Sequence, residues 1–308
     1  YQFIISSESI AVNTINLTDY AKEYIINFIH LFDDASVINN DINNYTSQAF
    51  NIFKLLKFDA VLNFKNVMII PDGLLNFIPF EALLTKQVKE ANVPASSLPY
   101  LINDYAISYH VSATLFTQQK QEGANISKGI ALFCPVNFEG DDGREGLSEL
   151  PGTETEVTSI ALQFEAKKLP VQVFSRANAQ EGILKTGSAK AAILHLATHG
   201  MVNQEQPELS RIFFASPTDA EDGNLNAAEI YGLADVADYN LVVMSACQTG
   251  LGKISEGEGT IGLSRAWMFV GVENQIVSFW TVADNSTAKL MDEFYRQYLA
   301  INSPKGYA

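Results

Sequence analysis

The sequence predicts an α/β protein in which residues 125–308 form a doubly wound unit on a mainly parallel sheet, with a weaker α/β region over residues 1–124 before it. Three observations predict this. Short runs apolar on both faces recur in the second part, as strands covered on two sides do. Segments of helical period separate them, the alternation that builds parallel sheets. The composition, 47% hydrophobic and 18% charged over 308 residues, supplies core enough for one large or two ordinary domains.

In chain order, 18–53 is helical with Asn-rich interruptions around 39–44, and 65–70 is a strand stopped by Pro71-Asp72-Gly73, a turn signal. The stretch 87–99, polar with two prolines, is a loop, and 105–111 is a second strand. A linker falls at 118–128, rich in Gln, Gly, Asn and Ser. Strands follow at 129–135, 171–174, 191–197, 241–246 and 275–281. Helices are expected at 153–164, opened by a Thr153–Glu156 capping box, and at 177–186, 225–233, 259–270 and 285–299.

Charge narrows the partners. Thirty-five acidic against twenty basic residues give a net charge of −15. Such a surface repels nucleic-acid phosphates and anionic lipid and attracts basic segments. Two cysteines, Cys134 and Cys247, cannot staple a secreted scaffold, so a reducing, cytoplasmic setting is expected. No apolar run approaches the roughly 20 residues of a membrane helix. The start at Tyr1 reads as that of a piece of a longer protein.

Ligands of open α/β sheets bind beyond the carboxyl ends of the strands. Two strands end there in reactive residues, 191–197 in Thr198-His199-Gly200 and 241–246 in Cys247-Gln248-Thr249-Gly250. Parallel neighbours would bring His199 and Cys247 to one edge, a thiol beside an imidazole, as cysteine nucleophilic catalysis requires. Their separation of 48 residues matches the roughly 50 of the caspase signature, and Ala246-Cys247-Gln248 shares its core. Ser245 and Thr249 depart from that signature. Cys134, followed by Pro135, reads as a packing residue. His195 reads as a hydrogen-bonded core histidine, because a His-x-x-x-His metal pair belongs on a helix and no third ligand is evident.

Three other patterns carry no function. Gly257-x-Gly259-x-x-Gly262 matches a dinucleotide fingerprint but does not follow its strand directly. It reads instead as a loop opening the next helix, with Glu256 and Glu258 flanking a basic substrate. Gly252-Lys253 lacks the rest of a phosphate-binding loop, and Gly262-x-Ser264 lacks the last glycine of a nucleophile elbow.

The segments 71–83 (PDGLLNFIPFEAL), 150–157 (LPGTETEV), 193–200 (ILHLATHG), 226–233 (NAAEIYGL), 245–266 and 278–295 resemble the CHAT family, caspase-like peptidases of the clan that includes separase and the gingipains. The resemblance implies a caspase-like αβα sandwich preceded by a degenerate, pseudo-caspase-like α/β region. It implies His199 and Cys247 as the catalytic dyad, with the backbone amides of Gly200 and Cys247 as the oxyanion hole. Separase-like relatives cleave after arginine. By that analogy Asp284 binds a basic P1 side chain, although its place at the start of a helical run also suits an N-cap, and Trp280 packs at the rim of the pocket. Glu258, by its charge, would attract a basic peptide. No metal or organic cofactor is required. The expected partners are a protein or peptide substrate with a basic residue and an upstream tetratricopeptide-repeat region or partner protein that controls activity. The rival reading is a scaffold or sensor module that is silent without a partner.

Overall fold

A computed structural model describes residues 1–61, 63–89, 93–118, 126–138, 144, 146–203, 205–218, 221–233, 238–245, 259–278 and 284–302, with only the backbone at 35, 259–261 and 284–285. The chain divides into two compact units, Tyr1–Gln119 and Lys120–Ala308.

The first unit opens with a hairpin absent from the sequence reading, β1 (Gln2–Ile5) against β2 (Ile10–Asn13), with Phe3 opposite Val12. Helices α1 (Asp19–His30), α2 (Ala35–Asn40) and α3 (Ile42–Leu55) follow. The Asn-rich interruption has a local cause: Asp41 leaves the helical region and its side chain accepts from the Asn44 amide, ending α2 and capping α3. Ile25, Phe28 and Ile29 of α1 and Ala49, Ile52 and Phe53 of α3 are all fully buried. Strand β3 (Asn66–Ile69) ends before Gly73, which takes φ +53°. After α4 (Leu101–Asp104), β4 (Ala106–Tyr109) pairs with β3 in parallel, and α5 (Ala113–Gln118) completes the unit.

The second unit runs β5 (Ile130–Cys134), α6 (Gly152–Ala166), β6 (Val171–Ser175), α7 (Gly182–Lys185), β7 (Ile193–Ala197), β8 (Gly200–Met201), β9 (Arg211–Phe213), β10 (Asn224–Asn226), α8 (Ala227–Ile230), β11 (Leu241–Ser245), α9 (Gly259–Phe269), β12 (Asn274–Val277) and α10 (Asp284–Asn302). Five of these strands form a parallel sheet in the order β12-β11-β7-β5-β6. One face packs Ile193, Ala197, Leu241 and Val243 against Val157, Ile160 and Phe164 of α6 and Tyr295 and Leu299 of α10. The other packs Leu194, Leu196, Val242 and Met244 against residues of α7, α8 and α9. This is the expected αβα sandwich. Alternate residues of these almost wholly apolar strands serve the two layers.

Three local expectations are corrected. The 153–164 helix starts at Gly152, so Thr153 lies inside it and donates its hydroxyl to the Leu150 carbonyl at 2.6 Å; Glu156 is buried and caps nothing. Leu225 belongs to a strand, and the real capping box is Asn226 with Glu229 at the start of α8. Of 177–186, only Gly182–Lys185 is α-helix.

Candidate active site

Strands β7 and β11 are adjacent and parallel, with Ala197 paired to Ser245 as their last residues. One further bond extends the contact: the Thr198 amide donates to the Ser245 carbonyl at 3.3 Å. Thr198 and Ser245 therefore stand side by side at the sheet's carboxyl edge, with His199 next in the chain. On the other flank β7 neighbours β5. The connection from β6 crosses back over β5 to reach β7, so the strand order reverses there, where open sheets bind ligands.

His199 is 2% exposed. Its Nε2 lies 2.8 Å from the Ser148 carbonyl. A carbonyl only accepts, so Nε2 carries the proton and donates, which leaves Nδ1 as the ring's acceptor nitrogen in the neutral form. The ring stands edge-on to Phe138, with centroids 4.6 Å apart. Phe138 packs with Leu150 and Phe213, flanked by Leu147 and Met201. The imidazole thus has a fixed tautomer and an apolar seat.

The chain after His199 builds a small antiparallel sheet, β10-β9-β8. The Phe213 amide donates to the His199 carbonyl at 2.9 Å, and Gly200 pairs with Ile212. Ladder bonds alternate in an antiparallel pair, so Gly200–Ile212 is a non-bonded pair and the Gly200 amide points away from β9, towards the side of β8 that has no paired strand among the described residues. An N–H aimed away from its own ladder is what an oxyanion donor needs.

The segment that carries Ser148 has its own anchor. Arg144, 2% exposed, donates from its guanidinium to the Phe214 carbonyl at 3.1 Å and the Gly223 carbonyl at 2.5 Å. Its guanidinium also faces the Phe213 ring at 5.7 Å, while Arg211 approaches the same ring at 5.6 Å.

Behind the strand ends lies a buried polar chain. Glu156 Oε1 accepts from Ser245 Oγ at 2.7 Å and lies 2.9 Å from His195 Nε2, whose Nδ1 is 3.1 Å from the Tyr295 hydroxyl. All four residues are at most 2% exposed. His195 is thus a hydrogen-bonded core residue. Among the described residues no group of three or more His, Cys, Asp or Glu is placed to hold a metal ion.

Of the remaining expected site residues, Cys247, Trp280 and Glu258 lie outside the described residues. Asp284 is the first residue of α10, and its side chain is likewise outside them. Cys134 is 1% exposed, and burial pushes its thiol up to about 12. In the glycine pattern, Gly259 opens α9, and a Cβ on Gly262 would stand 2.8 Å from the Pro207 carbonyl oxygen. Close packing of the helix against the 207–209 turn therefore accounts for Gly262. Phe138, Arg144, Ser148 and the bonding of Glu156 to Ser245 and His195 escaped the sequence reading. Only Glu156 left a signal, a carboxylate on the same helical stripe as Val157, Ile160 and Phe164.

The model of one protein family, the CHAT domain, matches residues 52–308. A search of curated proteins gives no match. Among the described residues no helix is long and apolar enough to cross a membrane.

Proposed function

The chain belongs to the CHAT-domain family, which is related to the caspase-like cysteine peptidases, and from that premise we propose that it is a cysteine endopeptidase using His199 and Cys247. The observation that carries the reading is the Thr198 amide bonded to the Ser245 carbonyl. The histidine leaves the sheet one residue past this bond, and Cys247 follows two residues after Ser245.

The chemistry follows from the held imidazole. With Nε2–H committed to Ser148, Nδ1 takes the thiol proton, giving thiolate beside imidazolium. The thiolate attacks the peptide carbonyl carbon, and the carbonyl oxygen takes up negative charge, met by the amides of Gly200 and Cys247. As the C–N bond breaks, Nδ1–H protonates the departing amine and a thioester remains. Water then gives a proton to Nδ1 and attacks the thioester; thiolate leaves and the new carboxylic product departs. A fixed tautomer keeps one nitrogen in both proton transfers.

A basic residue before the scissile bond is the proposed preference, bound by Asp284. Two facts support it. Helix α10 begins at Asp284 after β12, which borders β11 in the sheet, so the residue follows a neighbouring strand end. The net charge of −15 favours basic peptides generally.

The test is cleavage of an arginine-containing peptide library by the wild type, Cys247→Ala and His199→Ala. Wild-type cleavage lost in both variants supports the reading, and cleavage retained by Cys247→Ala ends it. A thiol-reactive arginyl probe that labels the chain only with a partner present would favour the regulated module instead.

A further inference from the structure

We propose that Glu156 is a positioning residue of the dyad: one carboxylate oxygen holds Ser245 at the end of β11 and His195 on β7, and so fixes how the two dyad-bearing strands meet. The proposal rests on the reading of His199 and Cys247 as the dyad.

The placement is specific. Each strand is buried along its whole length, and each carries one conventional hydrogen-bonding side chain, His195 in Ile193–Ala197 and Ser245 in Leu241–Ser245. Both lie on the face covered by α6 and α10, since their odd-numbered neighbours Ile193, Ala197, Leu241 and Val243 pack there. The α6 stripe that meets them is apolar at Val157, Ile160, Ala161 and Phe164 and changes to a carboxylate at Glu156 alone of the residues facing these strands.

The bonding is also directional. Glu156 Oε1 accepts from Ser245 Oγ–H and from His195 Nε2–H. His195 Nδ1 is then left to accept from the Tyr295 hydroxyl, which burial keeps protonated by raising its pKa well above the usual value. Three elements, α6, β7 and β11, are thereby joined through one oxygen, and the His195 ring extends the chain to α10.

A buried carboxylate is a poor device for stability alone, because apolar packing of similar volume does as well or better. What it adds is a fixed arrangement. Ser245 stands two residues before Cys247, and His195 four before His199. A shift of about 1 Å between reacting groups is enough to lower a rate by about a hundredfold.

The experiment uses the full chain as wild type, Ser245→Ala, Ser245→Thr, Glu156→Ala and His199→Ala. Iodoacetamide alkylation at Cys247, mapped by mass spectrometry, is followed from pH 5 to pH 9 beside a melting curve. In an intact dyad the imidazolium holds the thiolate, so the alkylation midpoint lies below the roughly 8.5 of a free thiol. His199→Ala is expected to raise the midpoint towards that value and to slow alkylation at pH 6 by about tenfold or more. Ser245→Ala, which removes a single oxygen, is expected to do the same while still melting cooperatively, and Ser245→Thr to restore the wild-type profile. Ser245→Ala decides the matter if Glu156→Ala does not fold. Should His199→Ala move the midpoint while Ser245→Ala leaves it in place, the positioning role is overturned and the dyad stands. Should His199→Ala move nothing, the dyad reading fails and this proposal with it.

Discussion

Replacing Arg144 by methionine tests how the imidazole is held. The guanidinium, 2% exposed, makes one bond to the Phe214 carbonyl and a short one to the Gly223 carbonyl, with a long contact of 3.4 Å to Asp222 that adds little. Bonds from a charged donor contribute about 1.5–3 kcal/mol each. Both carbonyls lose their arginine bond, but the Gly223 carbonyl keeps a second donor, the Phe214 amide at 2.8 Å. A buried methionine returns about 2 kcal/mol of apolar burial. The net expected loss is about 3 kcal/mol, or a fall in Tm of roughly 6–12 °C for a unit of this size. The Leu147 amide bonds the Arg144 carbonyl at 3.0 Å, so the turn leading to Ser148 loosens as well. The kcat/KM of any cleavage should fall more than the unfolded fraction explains. Thermal and urea unfolding measure the first effect, and histidine NMR of His199 the second. A loss under about 1 kcal/mol with an unchanged His199 signal would refute the reasoning, because the arginine would then be replaceable by packing alone.

Three further outcomes are expected. Burial and the neighbouring Glu221 raise the Glu181 carboxyl above the usual carboxylate range against the pull of Lys185. The folded state therefore holds a proton that the unfolded chain releases, and stability falls as pH rises from the ordinary carboxylate range towards neutrality. Melting curves from pH 5 to pH 8 should show this fall in the wild type and a flatter profile in Glu181→Gln; equal slopes would contradict it. Gly262→Ala places a Cβ 2.8 Å from the Pro207 carbonyl, so α9 must move off the 207–209 turn. Urea unfolding should report a loss of about 1–2 kcal/mol despite alanine's better helix propensity, and a gain would refute the close packing. Cys134, buried with its thiol raised to about 12, should resist iodoacetamide at pH 7.5 in the folded protein and react only after unfolding; native labelling at Cys134 would contradict its burial.

The parallel core was legible because its signal is local. Ile130–Cys134, Ile193–Ala197 and Leu241–Ser245 are buried at every residue, and the sequence shows that as runs apolar except at His195 and Ser245. The β8-β9-β10 sheet was not, because its strands have two or three residues and take their pairing from the chain reversal after His199. The hairpin at 2–13 escaped for another reason: Phe3, Ile5, Ile10 and Val12 are exposed, so no buried face imposes a readable alternation.

Glu156 shows why the support of the site was harder to read than the proposed dyad. A Thr-x-x-Glu spacing at a helix start satisfies the capping-box pattern, and nothing local distinguishes it from a glutamate that turns inward. What decides is the partner, Ser245, 89 residues away on a strand that only the assembled sheet brings near. The same holds for Ser148, which offers His199 a backbone carbonyl that any residue type would supply. Side chains that perform chemistry are constrained in type and so leave a trace in the sequence. Groups that position them are constrained in place, and place exists only after folding. A library of variants at Ser148 should therefore retain the His199 tautomer with most side chains, whereas at Ser245 only a hydroxyl should serve.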